Sequence, residues 1–137
     1  MTTIVESLWL RLHAVLTDFA VGLIATDPTL VQNVGRTGND AFLLRAYLGL
    51  RRHVDGVEVA ITVDVRVDGQ RLIVESDACI DDGQVVASGP STVIPLDGQA
   101  NVDADIGGWF LDFNRFLLES TPAVMLAASK LCVKRDT

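Results

Sequence analysis

The sequence predicts an α+β domain: a four-stranded antiparallel β-meander with one helix before it and two after it, all packed on one face of the sheet. Apolar residues recur at helical spacing near both ends of the chain, whereas the middle alternates with period two and is rich in Val, Ile, Leu and Thr. Through that middle stretch the dipeptide Asp-Gly recurs at near-even spacing, at Asp55-Gly56, Asp68-Gly69, Asp82-Gly83 and Asp97-Gly98. Asp-Gly supplies the positive φ angles of two-residue hairpin turns, so each pair predicts a hairpin.

The first helix is predicted to begin at Thr3, because Glu6 follows three residues later and the two can form a capping box. Asp27-Pro28 should end it. Between these limits the apolar side chains form one broad stripe: Val5, Leu8, Trp9, Leu12, Val15, Leu16, Phe19 and Leu23. The helix should therefore lie across the apolar face of the sheet.

Residues 25 to 40 are predicted to be a plain connector. Within them Thr29 to Val34 could form a short helix, and the glycines that follow indicate a loop. The first strand is predicted over Ala41 to Val54. Its composition would also suit a helix, and only its pairing with the next strand favours a strand.

Two-residue turns at the Asp-Gly pairs fix the register of the predicted sheet. The facing pairs that result include Leu50 with Ile61, Val63 with Val74, Ala78 with Ala87, and Leu72 with Val93. Every hairpin keeps its apolar residues on one face, so Ile61, Val63 and Val74 should be buried under the first helix. The fourth strand contains Gly89-Pro90, which belongs at a sheet edge or a bulge because proline donates no backbone hydrogen bond.

Two helices are predicted after the sheet. Asp103 or Asp105 can cap the first of them, which should end near Glu119. Thr121-Pro122 resembles an N-cap followed by proline at the first helical position, so the second helix should start there and reach Val133.

Composition limits the class of protein. The 137 residues suit a single domain spanning 1–137, and a net charge of −7 argues against nucleic acid as the main partner. Cys79 and Cys132 lie far apart and without metal spacing, which indicates a reduced, cytoplasmic setting. The N-terminus lacks the basic region of a signal peptide, and no apolar run is expected to approach membrane-spanning length.

No catalytic, metal or cofactor site is predicted. One set of residues has the offsets of a calcium loop, but its sixth position is Ile106 instead of glycine, so capping acids and a surface loop explain the set better: Asn101, Asp103, Asp105 and Asp112. His53, Glu58 and Cys79 fall in one row of the polar sheet face. His53 and Cys79 are two strands apart, roughly 10 Å, which is too far for a nucleophile and its base. Whether the protein is an enzyme stays open, with the balance against it.

One row on the polar face is a candidate binding site. The predicted register places Arg45 opposite Arg66, and Arg66 opposite Arg71. Asp64 is the nearest carboxylate within the chain, and one carboxylate against three guanidinium groups should leave the row with excess positive charge. We expect it to bind an acid, supplied by a side chain of a partner, by the chain's own C-terminal region or by a small anion. The alternative is that the long side chains extend into water.

A second candidate surface lies on the C-terminal helices. Their apolar residues cover too wide an arc for one sheet face to bury, and the main ones are Trp109, Phe110, Phe113, Phe116 and Met125. This surplus should meet another chain, in a homodimer or a hetero-complex through residues 109–133, or line a pocket between sheet and helices.

Two functions follow from these features. The first is a non-enzymatic protein-binding module, such as a small acidic adaptor, a secretion-type chaperone or a toxin-neutralising immunity protein. The second is a small-molecule-binding protein or enzyme with an apolar pocket between sheet and helices. A cavity of several hundred Å3 would favour the second function, and a packed core would favour the first.

Overall fold

The computed structural model contains two helices and six strands among the residues it describes, which are 2–38, 43–52, 56–80, 83–97 and 102–130. In chain order they are α1 (Thr2–Thr26), β1 (Val31–Thr37), β2 (Leu44–Arg51), β3 (Val59–Asp68), β4 (Arg71–Ile80), β5 (Val85–Ser88), β6 (Thr92–Pro95) and α2 (Val102–Ala128). The α+β class and the antiparallel meander are confirmed. The element count is corrected: one helix follows the sheet instead of two, and the described strands exceed four.

Helix α1 ends where the sequence predicted. Its last residue is Thr26, and Asp27 then forms a turn by accepting hydrogen bonds from the backbone and hydroxyl groups of Thr29, at 3.1 and 2.6 Å. Arg52 donates to the same carboxylate at 2.8 Å. The hydrogen bonds from Thr29 and the nearby Arg52 hold the pKa of Asp27 below its usual value. The turn after α1 is thereby attached to the end of β2.

Strand β1 corrects the prediction of a connector or short helix over residues 25 to 40. It pairs antiparallel with β2, placing Gly35 opposite Tyr47. The Tyr47 ring lies so close over Gly35 that a Cβ at position 35 would clash with it. On the other face Arg36 pairs with Glu6 of α1 at 3.1 Å and lies over the Trp9 ring. Contacts with residues distant in sequence therefore stabilise this edge strand.

The predicted register is wrong by two residues in both central hairpins. The observed pairs are Leu48 with Ile61, and Val65 with Val74. Gly69, with φ 62°, is the first residue of the β3–β4 turn and not the second. A shift of two keeps each side chain on its original face. The predicted core residues Ile61, Val63 and Val74 are accordingly buried.

Gly89-Pro90 divides the predicted fourth strand into β5 and β6, which both pair with β4 at the sheet edge. The predicted pairing of Ala87 is confirmed. After the break the chain slips by one residue, so that Ile94 faces the core and Val93 is exposed. Ser76 donates its hydroxyl hydrogen to the Pro90 carbonyl at 2.7 Å, which attaches the break to β4.

Helix α2 runs for 27 residues and passes through Pro122, so the predicted helix boundary at Thr121-Pro122 is wrong. Proline has no N–H to donate to the carbonyl of Leu118. The preceding turn is supported instead by Thr121, whose hydroxyl donates to the Leu117 carbonyl at 2.7 Å. Beyond the proline Val124 is fully buried. Burial of the last two turns stabilises the helix against the local break.

The two helices lie side by side on one face of the sheet and run in the same direction. Ile4 of α1 lies near Val102 at the start of α2, and Arg11 lies 4.1 Å from the centre of the Phe110 ring. Helix α1 packs mainly on β1 and β2, and α2 packs on β3 to β6. The core between the layers includes Leu8, Leu12, Leu16, Leu44, Leu48, Leu72, Phe113 and Leu117. The predicted packing of the helices on one face of the sheet is confirmed, but β3 and β4, which carry Ile61, Val63 and Val74, pack mainly under α2 and not under α1 as predicted.

Candidate functional site

The surface of α2 that the sheet does not bury carries three large exposed apolar side chains. Leu111, Leu118 and Leu126 are 71%, 72% and 65% exposed. Leu111 and Leu118 are seven residues apart and therefore lie on the same side of the helix. The sequence predicted an apolar arc too wide for the sheet to bury, and these leucines are the part that stays outside.

Helix α1 contributes a matching stripe. Leu10 and Val21 are 67% and 62% exposed, and the exposed Ala14 lies between them on the same side of the helix. All three lie opposite the buried stripe of α1. We call the exposed apolar residues of both helices the outward helical face: Leu10, Ala14, Val21, Leu111, Leu118 and Leu126.

A groove of about 270 Å3 separates the two helices at the middle of this face. Its lining residues are Val15, Asp18, Phe19, Asn114, Leu117 and Leu118. Leu117 is buried at the bottom, and Asn114 donates its amide hydrogen to the Phe110 carbonyl at 2.9 Å. Asp18 is exposed and makes no ion pair with any residue that the structure describes. The groove therefore combines an apolar base with a carboxylate at its rim.

The charges around the face are mainly negative. Five exposed carboxylates lie on the two helices besides Glu6, which pairs with Arg36: Asp18, Asp103, Asp105, Asp112 and Glu119. Of the exposed guanidinium groups on the described helices, Arg11 lies over the Phe110 ring and Arg115 lies 3.7 Å from Asp112. Both are engaged within the chain, so the negative potential of the carboxylates is only partly offset.

The predicted row of opposed arginines does not form, because the register differs by two residues. Arg45 instead faces Asp64 and makes two hydrogen bonds with it, at 2.6 and 3.0 Å. This contact raises the pKa of Arg45 above its usual value. The remaining pairs are Arg66 with Glu75 at 3.4 Å and Arg71 with Asp68 at 3.1 Å. Each arginine has a carboxylate partner, which removes the reason to expect an anion site there.

The aromatic residues predicted to form an interface or pocket belong to the core. Trp109 stacks on Phe113 with ring centres 4.7 Å apart, and its indole N–H donates to the Pro90 carbonyl at 3.1 Å. Phe110, Phe113 and Phe116 are all buried, and Met125 is half-buried against the core. These rings fill the space between α2 and the sheet. The apolar residues of α2 that are free to meet a partner are its outward leucines.

The polar sheet face holds a small hydrogen-bonded cluster around Asp77. Thr62 and Cys79 both donate to its carboxylate, at 2.9 and 3.3 Å. Burial and the neighbouring Asp77 raise the pKa of the Cys79 thiol to about 11. The thiol is therefore neutral near pH 7, which does not suit a nucleophile. His53, which the predicted register places in one row with Glu58 and this thiol, lies outside the described residues.

The predicted calcium offsets also have a structural explanation. Asp103 and Asp105 lie in the first turn of α2, where carboxylates interact favourably with the helix dipole, and Asn101 lies outside the described residues. Within the described ranges no three acidic, histidine or cysteine side chains are grouped closely enough to hold a metal ion.

Helix α1 is long and apolar enough over Ile4–Thr26 to cross a membrane, judged by length and composition. This corrects the expectation that no apolar run approaches that length. In the structure Leu8, Leu12 and Leu16 of this segment are buried. A core helix of a soluble protein passes the same test, so the finding is weak evidence for a span.

No family model matches the chain, and comparisons with curated proteins and with solved structures find no match. The α1 side of the groove, formed by Val15, Asp18 and Phe19, is absent from the predicted site. Its sequence signal is the second, sparser stripe of Leu10, Ala14 and Val21 opposite the main one. That stripe shows an apolar outer surface, but only the packing of α1 beside α2 creates the groove.

Proposed function

We propose that this protein is a non-enzymatic protein-binding module that holds its partner on the outward helical face. The observation that carries the proposal is the exposure of Leu111, Leu118 and Leu126 on a helix whose opposite side is fully packed. Contiguous exposed apolar surface on a folded domain typically marks an interaction site. Leu10 and Val21 extend this surface onto α1.

The packing of the core supports a protein partner over a small molecule. Trp109, Phe113 and Phe116, which would line an apolar pocket, instead contact one another and are at most 8% exposed. The groove on the outward helical face is about 270 Å3, smaller than the roughly 300–1,000 Å3 of typical small-molecule sites. Such a groove suits one or two side chains of a protein partner.

An acidic adaptor, a secretion-type chaperone and a toxin-neutralising immunity protein all fit this proposal. Each would present an apolar surface with an acidic margin to one partner. A cytoplasmic location belongs to the same proposal. It is supported by the packing of the apolar stripe of α1 on the sheet and by the free thiol of Cys79.

A pair of variants tests the outward helical face. The double substitution Leu111→Ser and Leu118→Ser removes apolar surface that the fold does not bury, and Leu43→Ser is the control because Leu43 is 44% exposed elsewhere. Affinity capture from the native host's lysate should recover one stoichiometric protein with the wild type and the control. The double variant should lose it while keeping the wild-type melting temperature. Capture of the same protein by all three forms, or of no stoichiometric protein, would contradict the proposal.

A further inference from the structure

We infer that the partner presents a basic amphipathic helix, whose apolar side chains enter the groove between α1 and α2 and whose cations face Asp18 and the other carboxylates of the outward helical face. This inference rests on the proposed function and specifies the chemistry of the bound segment. It is carried by the shape of the groove and by the charges around it.

The shape suits a helix. Leu111 and Leu118 form a ridge along the exposed side of α2, of which Leu118 borders the groove, and seven residues of α-helix span about 10.5 Å. An amphipathic helix presents apolar side chains at the same i, i+7 interval and can lay them along such a ridge. Leu117 closes the bottom of the groove, and the half-buried Val15 and Phe19 form its α1 side. An apolar side chain inserted there would contact both helices.

The carboxylates around the groove indicate which residues flank the apolar side chains of the partner helix. Asp18 lies at the rim of the groove, is exposed, and has no ion-pair partner within the described ranges. Glu119 follows the ridge residue Leu118 and is also exposed without a described ion pair. Cations that flank the apolar stripe of a partner helix would face these carboxylates. Such complementarity favours the right partner and speeds its association.

The same charges disfavour two other occupants. A second copy docked through this face would bring Asp18, Asp112 and Glu119 of both molecules together, and like charges across an interface are unfavourable. An anionic membrane surface attracts basic segments and would be repelled by these carboxylates. A basic protein segment meets neither objection.

A designed peptide can serve as the probe. An 18-residue helix with leucines on one side and lysines on the other would be compared with a version carrying glutamates for lysines, and with a scrambled lysine peptide. Fluorescence anisotropy should show binding of the patterned lysine peptide, at least roughly tenfold weaker binding of the scramble, and none of the glutamate peptide. The amide signals of Asp18 and Asn114 should shift on binding.

Two charge variants then locate the contact. Asp18→Asn should weaken binding of the lysine peptide roughly two- to fivefold and make it less dependent on salt, as expected for one exposed ion pair. Asp68→Asn removes a carboxylate of the β3–β4 hairpin that pairs with Arg71 and is not part of the outward helical face, and it should change neither. Leu118→Ser should weaken binding roughly tenfold or more, because it removes part of the apolar ridge.

The outcomes separate this inference from the proposed function. If the lysine and glutamate peptides bound equally well, or if Asp18→Asn had no effect on binding, the inference of a basic partner helix would be overturned. The capture experiment with Leu111→Ser and Leu118→Ser would still decide the proposed function by itself. Self-association that Leu118→Ser abolishes would identify a second copy as the occupant. Sedimentation with phosphatidylcholine vesicles but no peptide binding would identify a membrane. Either of these last two results would also overturn the inference that the partner presents a basic helix.

Discussion

Replacing Pro122 with alanine should stabilise the protein. Pro122 lies inside α2, where proline removes a backbone hydrogen bond and its ring crowds the carbonyl four residues earlier. Its own side chain is exposed, so the substitution sacrifices little packing. Alanine would restore an N–H for the Leu118 carbonyl without disturbing the buried residues on either side.

The expected gain follows from opposing contributions. Proline in a helix interior costs about 3 kcal/mol relative to alanine. Part of this cost is relieved here, because the hydroxyl groups of Ser120 and Thr121 both donate to the Leu117 carbonyl, at 3.4 and 2.7 Å, and such back-bonding bends a helix and so reduces the crowding by the proline ring. Alanine also gives the unfolded chain more freedom, worth about 0.4–1 kcal/mol. The net gain in the free energy of unfolding should be about 1–2 kcal/mol.

Urea denaturation followed by circular dichroism measures this gain directly. The midpoint should rise with an unchanged m-value, and the melting temperature should rise by roughly 3–8 °C. Pro28→Ala is the matched control, since Pro28 lies in the turn after α1 and its removal should bring no gain. If the Pro122→Ala variant is no more stable than the wild type, then Pro122 does not destabilise α2.

Two further predictions concern the core and the free thiol. Val63→Asp should abolish cooperative folding, because Val63 is fully buried and an unpaired buried charge costs several kcal/mol. A soluble variant with a cooperative melt would refute the assignment of Val63 to the buried face of the sheet. In a Cys132→Ser background, alkylation of Cys79 should be slow at pH 8 and accelerate only toward pH 11, whereas reaction at the rate of an unfolded thiol would contradict its raised pKa. Because folding favours the neutral thiol, Cys79 contributes stability below pH 9.0 that is lost as the pH rises to about 11.

Local pattern was sufficient to predict the faces of the central strands but not their register. The alternation along β3 assigns Ile61 and Val63 to the core whichever way the turns close, because a two-residue shift preserves the face. The register of the β3–β4 hairpin depends on which position of the two-residue loop takes the positive φ angle. The sequence pattern placed Gly69 second in that loop, whereas in the structure it is first. That difference moved Arg71 from opposite Arg66 to opposite Asp68, and a separate shift of two residues between β2 and β3 placed Asp64 opposite Arg45.

Elements that depend on contacts with residues distant in sequence could not be predicted from the local sequence pattern. Strand β1 is short of apolar residues, and its Arg36 contacts Glu6 thirty positions away. The continuation of α2 through Pro122 depends on burial of Val124. The wide apolar arc of α2 did predict an exposed surface, but the groove beside Leu118 requires α1, which lies about a hundred residues earlier in the chain.

The placement of α1 and α2 at opposite ends of the described chain has a consequence for biosynthesis. The six described strands all leave the ribosome before α2, which covers β3 to β6. Until α2 has been translated, the nascent chain cannot bury Ile61 and Leu72 under their native neighbour. Such delayed long-range closure slows folding and prolongs the exposure of aggregation-prone surface. Production of the protein should therefore benefit from chaperones that bind nascent chains.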